Sequence, residues 1–340
     1  KEQNFFKDYF GTLLGYAAAR VPEISDQYYP LDDAMRTGYV WDFGPFEYWD
    51  LIGLERGMEL IKAQEGQIPQ WILDLQAAGG TSFYKFENGQ KKYFNIQSKT
   101  YEPLPGTESF IILDSYREQA PVLKNSECTV HDIGDGVLCL EFTSKSNSIG
   151  EGIGKGLHEA IELAEEGDWK GLVIGNNAKQ FSVGANLMNI GMFAMQKQFD
   201  VLERFVDDFQ KINMKIRTSK IPVVVSTQGY VFGGGCEISM HCDAGIYAAE
   251  SYIGLVEVGV GLLPGGGGTK EFALRASDDF FEGDVQNPTL INYFKSIATA
   301  AVSTSAYEAY DLGYLKKERD FVCVNTPMNI GRAKDKVLEL

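Results

Sequence analysis

The stretch Gly229-Tyr230-Val231-Phe232-Gly233-Gly234-Gly235-Cys236-Glu237 decides how this chain reads. It follows Ile221 to Thr227, a valine-rich run with strand character, and it opens a predicted helix. Glycines at a strand-to-helix turn let the backbone approach a ligand closely. The N–H groups of the first helical turn lack intrahelical partners, so they can bind an anion or an oxygen that gains charge during a reaction. Two further turns share this build. Phe181-Ser182-Val183-Gly184-Ala185-Asn186-Leu187 lies between a strand and a helix, and Pro264-Gly265-Gly266-Gly267-Gly268-Thr269 opens another helix. Taken singly, each loop reads equally as a tight turn that lets helices pack closely.

Two acids narrow the choice. Glu237 directly follows the glycine triplet, and Glu257 is the sole charged residue in the run Ile253 to Pro264. A lone carboxyl in such a run is expected to be partly desolvated, which raises its pKa. Two carboxyls beside a donor-rich loop suit acid/base work on a bound substrate. From spacing alone, a helix cap at Glu237 and an ion pair at Glu257 stand as equal alternatives.

Outward from these loops the pattern is α/β. Thr129 to Asp132 and Val137 to Phe142 alternate around Gly134-Asp135-Gly136, which predicts a hairpin. Ile149 to Glu166 reads as an amphipathic helix, Gly171 to Ile174 as a short buried strand and Phe193 to Ile216 as one long helix. Ile221 to Thr227 and Ala244 to Ala248 read as further strands, so crossover connections are expected. Residues 1 to about 65 are helical in pattern. Gln67 to Ala77 adds a short helix closed by Gly79-Gly80, and Asn88-Gly89 between aromatic runs signals a hairpin. Residues 97 to about 125, with Pro103, Pro105 and Pro121, read as a linker.

The 340 residues carry a net charge of -16, which argues against nucleic acid or an anionic membrane as the main partner. It leaves room for a small anionic ligand held by clustered N–H donors. Five scattered cysteines with no CxxC pair suggest neither a disulfide framework nor a zinc site, and point to a reducing, cytoplasmic setting. His131, His158 and His241 have no metal-ligand spacing and read as structural or surface residues. The aromatic set Trp41, Phe43, Phe46, Tyr48 and Trp49 reads as core, or as a face where another domain packed. The polar helical start at Lys1, with no initiator Met, suggests a piece of a longer protein.

Residues 126 to 320 resemble the enoyl-CoA hydratase/isomerase (crotonase) superfamily. Phe181 to Leu187 is similar to the family's F-x-x-G-A-D-L segment and Gly229 to Glu237 to its G-x-x-x-G-G-G-x-E segment. Cys242-Asp243 follows as the family's C-D, Glu257 falls where hydratases carry a second glutamate, and Leu263 to Thr269 resembles the P-G-x-G-G-T turn. The resemblance implies an α/β fold with a crotonase-like ββα-superhelix domain. It implies that the N–H groups of Ala185 and Gly234 form an oxyanion hole for a thioester carbonyl, flanked by Gly184, Asn186 and Gly233 at the substrate. It implies that Glu237 and Glu257 hold one water between them, with Glu257 exchanging the proton at the α-carbon. Lys145 and Asn147 match positions that contact CoA. Asn186 departs from the family's Asp, a change expected to alter ligand contacts and leave the chemistry intact. The implied reaction is syn hydration of trans-2-enoyl-CoA to 3-hydroxyacyl-CoA in fatty-acid β-oxidation, with CoA as part of the substrate and no metal or cofactor required. Crotonase relatives often form trimers or dimers of trimers, which makes a homo-oligomer one expectation; blockage of that assembly by the attached helical segment is the alternative, and the oligomeric state stays open. The rival readings are an enoyl-CoA isomerase, which keeps only the second acid, and a non-catalytic acyl-CoA-binding fragment.

The first 65 residues resemble the C-terminal helical repeat of 3-hydroxyacyl-CoA dehydrogenases, through Pro30-Leu31-Asp32-Asp33-Ala34-Met35-Arg36 and Phe43-Gly44-Pro45-Phe46-Glu47-Tyr48-Trp49-Asp50. The resemblance implies a fused enzyme in which a dehydrogenase precedes a hydratase. No G-x-G-x-x-G follows a strand near the start, and the earliest histidine is His131. The expectation is therefore that NAD belongs to a dehydrogenase domain missing here, and that this chain alone has no dehydrogenase activity. The expected organisation is a helical segment over 1–80, a hairpin and linker over 81–125, and a crotonase-like domain over 126–340.

Overall fold

The computed structural model describes residues 2–87, 90–117, 119–283 and 288–340. They divide into two units, Lys1–Glu108 and Ser109–Leu340.

Unit 1 begins with five helices, α1 (Glu2–Ile24), α2 (Tyr29–Tyr39), α3 (Pro45–Ile52), α4 (Leu54–Ala63) and α5 (Gln70–Ala77). An antiparallel sheet follows, made of β1 (Tyr84–Glu87), β2 (Gln90–Asn95) and β3 (Thr100–Pro103), with β2 in the middle. The register pairs Glu87 with Gln90, as the hairpin reading expects, while Asn88 and Gly89 themselves lie outside the described residues. The third strand corrects the reading of 97–125 as linker. Two prolines nearby obscured a four-residue edge strand that ends on Pro103, where a missing donor is tolerated. The sheet also shares one core with the helices: Phe83, Tyr93 and Phe94 pack in the same buried cluster as Leu14, Trp49 and Trp71. Tyr28 sits fully buried at its centre, donating its hydroxyl to the Phe83 carbonyl and accepting from Phe94 N–H at 2.8 Å. The boundary expected near residue 80 therefore falls after Glu108. The aromatic set divides: Phe46 and Trp49 are buried, whereas Phe43 is exposed.

Unit 2 is a seven-stranded sheet of order β10-β9-β8-β7-β6-β5-β4. In chain order the elements are β4 (Leu123–Lys124), β5 (Cys128–Asp132), β6 (Val137–Phe142), α6 (Glu151–Glu166), β7 (Gly171–Gly175), α7 (Leu187–Met195), α8 (Phe199–Arg217), β8 (Val223–Phe232), α9 (Gly234–His241) and β9 (Ala244–Gly254). Then come α10 (Gly268–Asp278), α11 (Pro288–Ala298), α12 (Ala306–Asp311), β10 (Asp320–Cys323) and α13 (Asn329–Glu339). β4, β5 and β6 pair antiparallel, and β6 through β10 pair parallel with helices as crossovers. Alternate strand residues feed two cores: Leu138, Leu140, Val223 and Val225 face one cluster, Cys139 and Val224 the other, which α13 covers with Ile330, Ala333 and Val337. Residues 109–122, expected to be linker, contribute Ile111 and Leu113 to that second core.

Two elements differ from their sequence reading in ways that shape the site. The long helix expected over Phe193 to Ile216 is two helices. Lys197 takes a left-handed φ of 58°, Gln198 N–H bonds the Phe193 carbonyl at 2.9 Å and Lys197 N–H bonds the Ala194 carbonyl at 3.0 Å. This is a Schellman closure with lysine where glycine is usual, so no glycine announces it. The strand expected to end at Thr227 continues to Phe232. Its pairing with β9 shifts register between Thr227 and Gly229 and then resumes, Gly229 opposite Ser251 through Phe232 opposite Gly254. The glycine triplet therefore starts at the very tip of a central strand.

Candidate active site

The tip of β8 turns into α9 at Gly233, whose φ of 51° and ψ of -121° favour glycine. A Cβ there would also meet Glu257 Oε1 at 3.1 Å. Gly234 is the first residue of α9, so its N–H has no partner within the helix. The second donor comes from a different loop. Ile149 donates to the Gly184 carbonyl at 2.8 Å and accepts from Asn186 N–H at 2.9 Å. The alternation of an extended chain then turns the N–H of the intervening residue, Ala185, away from Ile149. Ala185 and Gly234 both line one cavity of about 260 Å³, together with Gly184, Gly233, Glu237 and Glu257.

Glu237 lies on the first turn of α9 and is 2% exposed. Its Oε1 accepts from Gly266 N–H and from Gly268 N–H, each at 2.8 Å. The glycine turn before α10 is thus a clamp for the Glu237 carboxyl. Gly266 is required by close approach: a Cβ would sit 2.3 Å from the Phe209 ring and 2.6 Å from Glu237 Oε2. Burial pushes the Glu237 carboxyl up to about 8, reinforced by the charge of Glu257 and opposed by the glycine N–H donors. Glu257 opens a short 3₁₀ turn, Glu257–Val260, after β9. Burial pushes its carboxyl up to about 7, and its buried Oε2 has no hydrogen-bond partner among the described residues. Neither acid follows its simpler alternative. The Glu237 side chain reaches across to the turn that opens α10, and Glu257 Oε2 meets no donor, cationic or neutral, among the described residues.

The rest of the cavity wall is apolar. Leu202, Phe205, Val206 and Phe209 on α8 face Val260 and Leu262 beyond the 3₁₀ turn. Sequence reading did not name these residues. Their signal was the helical spacing 202, 205/206, 209, which reads equally as ordinary core.

The other sequence-stated positions have different placements. Asn186 caps α7, accepting from Met188 N–H at 3.2 Å and Asn189 N–H at 3.4 Å, and does not line the cavity. Asn147 is buried, its side-chain amide donating to the Gln180 carbonyl at 3.0 Å while its backbone carbonyl accepts from the Ser182 hydroxyl at 2.7 Å, so its side-chain amide is engaged in loop structure. Lys145 is exposed on a short 3₁₀ turn and is not part of the cavity wall. His131 is buried, 3.0 Å from Glu141, and His158 is partly exposed beside Glu162. His241 packs under the clamp, with Nδ1 2.6 Å from the Glu237 carbonyl and Nε2 2.9 Å from Lys270 Nζ. Burial pulls its imidazole down to about 4, so it is neutral and donates from Nδ1. Among the described residues no group of three or more His, Cys, Asp or Glu could hold a metal ion. Among them too, no helix is long and apolar enough to cross a membrane. All five cysteines are buried free thiols.

Two backbone N–H groups and two buried acids line an apolar cavity at the end of this mixed sheet, and residues 132–281 match the crotonase family model described as Enoyl-CoA hydratase/isomerase. The crystal structure of an enoyl-CoA hydratase from Polaromonas sp. JS666 shares the fold, with a TM-score of 0.53 over 62% of this chain and 76% of that one at 20% identity. Among curated proteins, this chain is 39% identical over 315 residues to one of Bacillus subtilis (strain 168) named "Probable 3-hydroxyacyl-CoA dehydrogenase", covering 92% of this chain and 39% of that protein. It is 26% identical over 328 residues to a Rickettsia felis protein named as a fatty acid oxidation complex trifunctional enzyme, covering 96% and 40%. The chain therefore spans about two-fifths of the length of these relatives.

Proposed function

We propose that unit 2 is an enoyl-CoA hydratase that adds water syn across the 2,3 double bond of a trans-2-enoyl-CoA. The observation that carries this reading is the pairing of Glu237 and Glu257 in the cavity that Ala185 and Gly234 also line. In the proposed reaction the thioester oxygen accepts from those two N–H groups. They bind it more tightly as it becomes an enolate oxygen, which lowers the barrier. Two like charges in one buried site do not ionise together near neutral pH, so the pair holds one proton. In the free site Glu237 holds that proton more tightly, so the reaction runs from the minor arrangement with the proton on Glu257. In that arrangement the glycine clamp supports the ionised Glu237 as it takes a proton from water and the water oxygen bonds to C3. Glu257 delivers its proton to C2 from the same face. The sum is one water added, OH at C3 and H at C2, and the shared proton is restored when the acids re-equilibrate. Only proton transfers are involved, and CoA enters as part of the substrate.

Unit 1 is proposed as the C-terminal helical repeat of a 3-hydroxyacyl-CoA dehydrogenase. With no G-x-G-x-x-G after a strand in its sequence, it is proposed to have no dehydrogenase activity by itself.

The test is hydration of a short 2-enoyl-CoA by the full chain, followed as loss of the near-UV absorbance of the conjugated thioester. Glu237→Gln and Glu257→Gln should each lower turnover by roughly 10²- to 10⁴-fold. A chain that leaves 2-enoyl-CoA untouched but shifts the double bond of a 3-enoyl-CoA, with Glu237→Gln still active, would be an isomerase.

A further inference from the structure

The clamp that holds Glu237 is itself held from behind. Gln210 Nε2 on α8 donates to the Gly265 carbonyl at 2.7 Å. The N–H of that same peptide unit belongs to Gly266 and donates to Glu237 Oε1 at 2.8 Å. The next peptide is fixed too: Asn213 Nδ2 donates to the Gly266 carbonyl at 2.7 Å, and Gly266 and Gly268 on either side of Gly267 are the residues whose N–H groups bond Glu237. A carbonyl oxygen only accepts, so in both cases the amide nitrogen is the atom that faces the turn. Gln210 and Asn213 stand three residues apart and so share one face of α8. Asn213 is fully buried, and its Oδ1 has no partner among the described residues, so its one described bond is the one to this turn.

We propose that Gln210 and Asn213 are positioning residues for the reaction, Gln210 by polarising the peptide whose N–H bonds Glu237 and Asn213 by fixing the adjoining peptide of the same turn, so that α8 sets where the carboxyl sits and how readily it ionises. The physical basis is cooperativity. A donor on an amide oxygen draws electron density from the N–H of that amide and strengthens it as a donor, by roughly 10–30% per bond. A stronger donor favours the ionised carboxylate. The kinetic side of the inference rests on the hydratase reading; the ionisation side does not.

The other groups around Glu237 are accounted for. Glu257 faces it from the turn after β9 and opposes its ionisation. Cys236, beside it on α9, is a buried thiol held well above its usual range, hence neutral. His241 contacts the Glu237 backbone carbonyl and is neutral. Lys270 and Glu271 on α10 engage His241 and each other, with Arg217 of α8 on Glu271. On the outer face of α8, Asp207 and Lys211 pair with each other. Gln210 and Asn213 are uncharged and act through one peptide each.

Gln210 is exposed, so its variants are expected to fold. Gln210→Met removes the donor at similar size, and Gln210→Lys replaces it with a cationic one. The pH at which Glu237 ionises is read in the full chain from the infrared carboxylic-acid stretch, assigned by its absence in Glu237→Gln. The expected order is Met above wild type above Lys, in steps of about half a pH unit. With 2-enoyl-CoA, kcat of Gln210→Met should fall roughly three- to tenfold with KM little changed, its pH profile moving the same way, and Gln210→Lys should recover turnover. An infrared titration identical in all three proteins overturns the proposal. A titration that moves in the expected order supports it even if no protein hydrates substrate, a result that would sink the hydratase reading alone.

Discussion

Glu237→Gln should inactivate the chain and stabilise it, by an amount that grows with pH. The carboxyl, ordinarily near 4.5, is pushed up to about 8 in the fold, first by burial and then by Glu257. Between those values the folded chain keeps a proton that the unfolded chain releases. The stability carried by that proton is complete below pH 4.5, declines as pH rises through the window to 8, and is gone above it. Each tenfold difference in proton affinity is worth about 1.4 kcal/mol, so the full window corresponds to at most about 5 kcal/mol. Glutamine matches the size of glutamate and offers the same Oε1 to Gly266 and Gly268, but it does not ionise. The variant should therefore equal wild type near pH 5 and exceed it by about 2–5 kcal/mol at pH 9. For a unit of this size that is roughly 5–15 °C in Tm. The assay is thermal unfolding of both proteins by near-UV circular dichroism from pH 5 to pH 9. A Tm difference that is constant with pH, or that favours wild type increasingly as pH rises, would refute the reasoning. Confirmation would make Glu237 a case of stability given up for a strained, functional site.

Gly266→Ala forces a Cβ to within 2.3 Å of the Phe209 ring and 2.6 Å of Glu237 Oε2. It should cost about 1–3 kcal/mol in urea unfolding and lower kcat more than it raises KM. Asn186→Ala removes the cap of α7 and should cost about 1 kcal/mol, whereas Asn186→Asp keeps the acceptor at a helix N-terminus and should be neutral or slightly stabilising in the same assay. In unit 1, Asp32 accepts from Phe46 N–H at 2.9 Å and from the Tyr84 hydroxyl at 2.7 Å, both buried. Asp32→Ala strands both donors and should cost about 2–4 kcal/mol in urea unfolding, with Asp32→Asn milder because its oxygen remains an acceptor.

The site was legible in the sequence to the extent that it is built from local devices. Gly233, Gly234 and Glu237 lie within one strand-to-helix turn, and Glu257 stood out because nothing else in its run carries charge. Both acids do line the cavity, as do Ala185, Gly184 and Gly233. Asn147 was the harder case. Its amide suits a polar ligand, but in the fold the Gln180 carbonyl claims it, a competition between groups 33 residues apart. The strand runs past Thr227 for a similar reason. Gly229 looks like punctuation in isolation, yet β9 offers a pairing surface as far as Gly254 that the chain takes up after one irregularity. Asp32 lies in the first turn of its own helix, but its carboxylate bonds the start of the next one.

The sequence by itself determined the α/β alternation of unit 2, the helices of unit 1, and the three glycine turns with the two acids near them. These follow from side-chain period and from backbone angles that few residues adopt, both properties of neighbouring residues. Only the tertiary structure decided that the third turn clamps the acid of the second, that α8 braces that clamp through Gln210 and Asn213, and that the small sheet of unit 1 shares a core with its helices. Each of these depends on which donors, acceptors and apolar faces meet once the chain is compact, and hydrogen-bond partners 29 to 55 residues apart leave no periodic trace in the sequence.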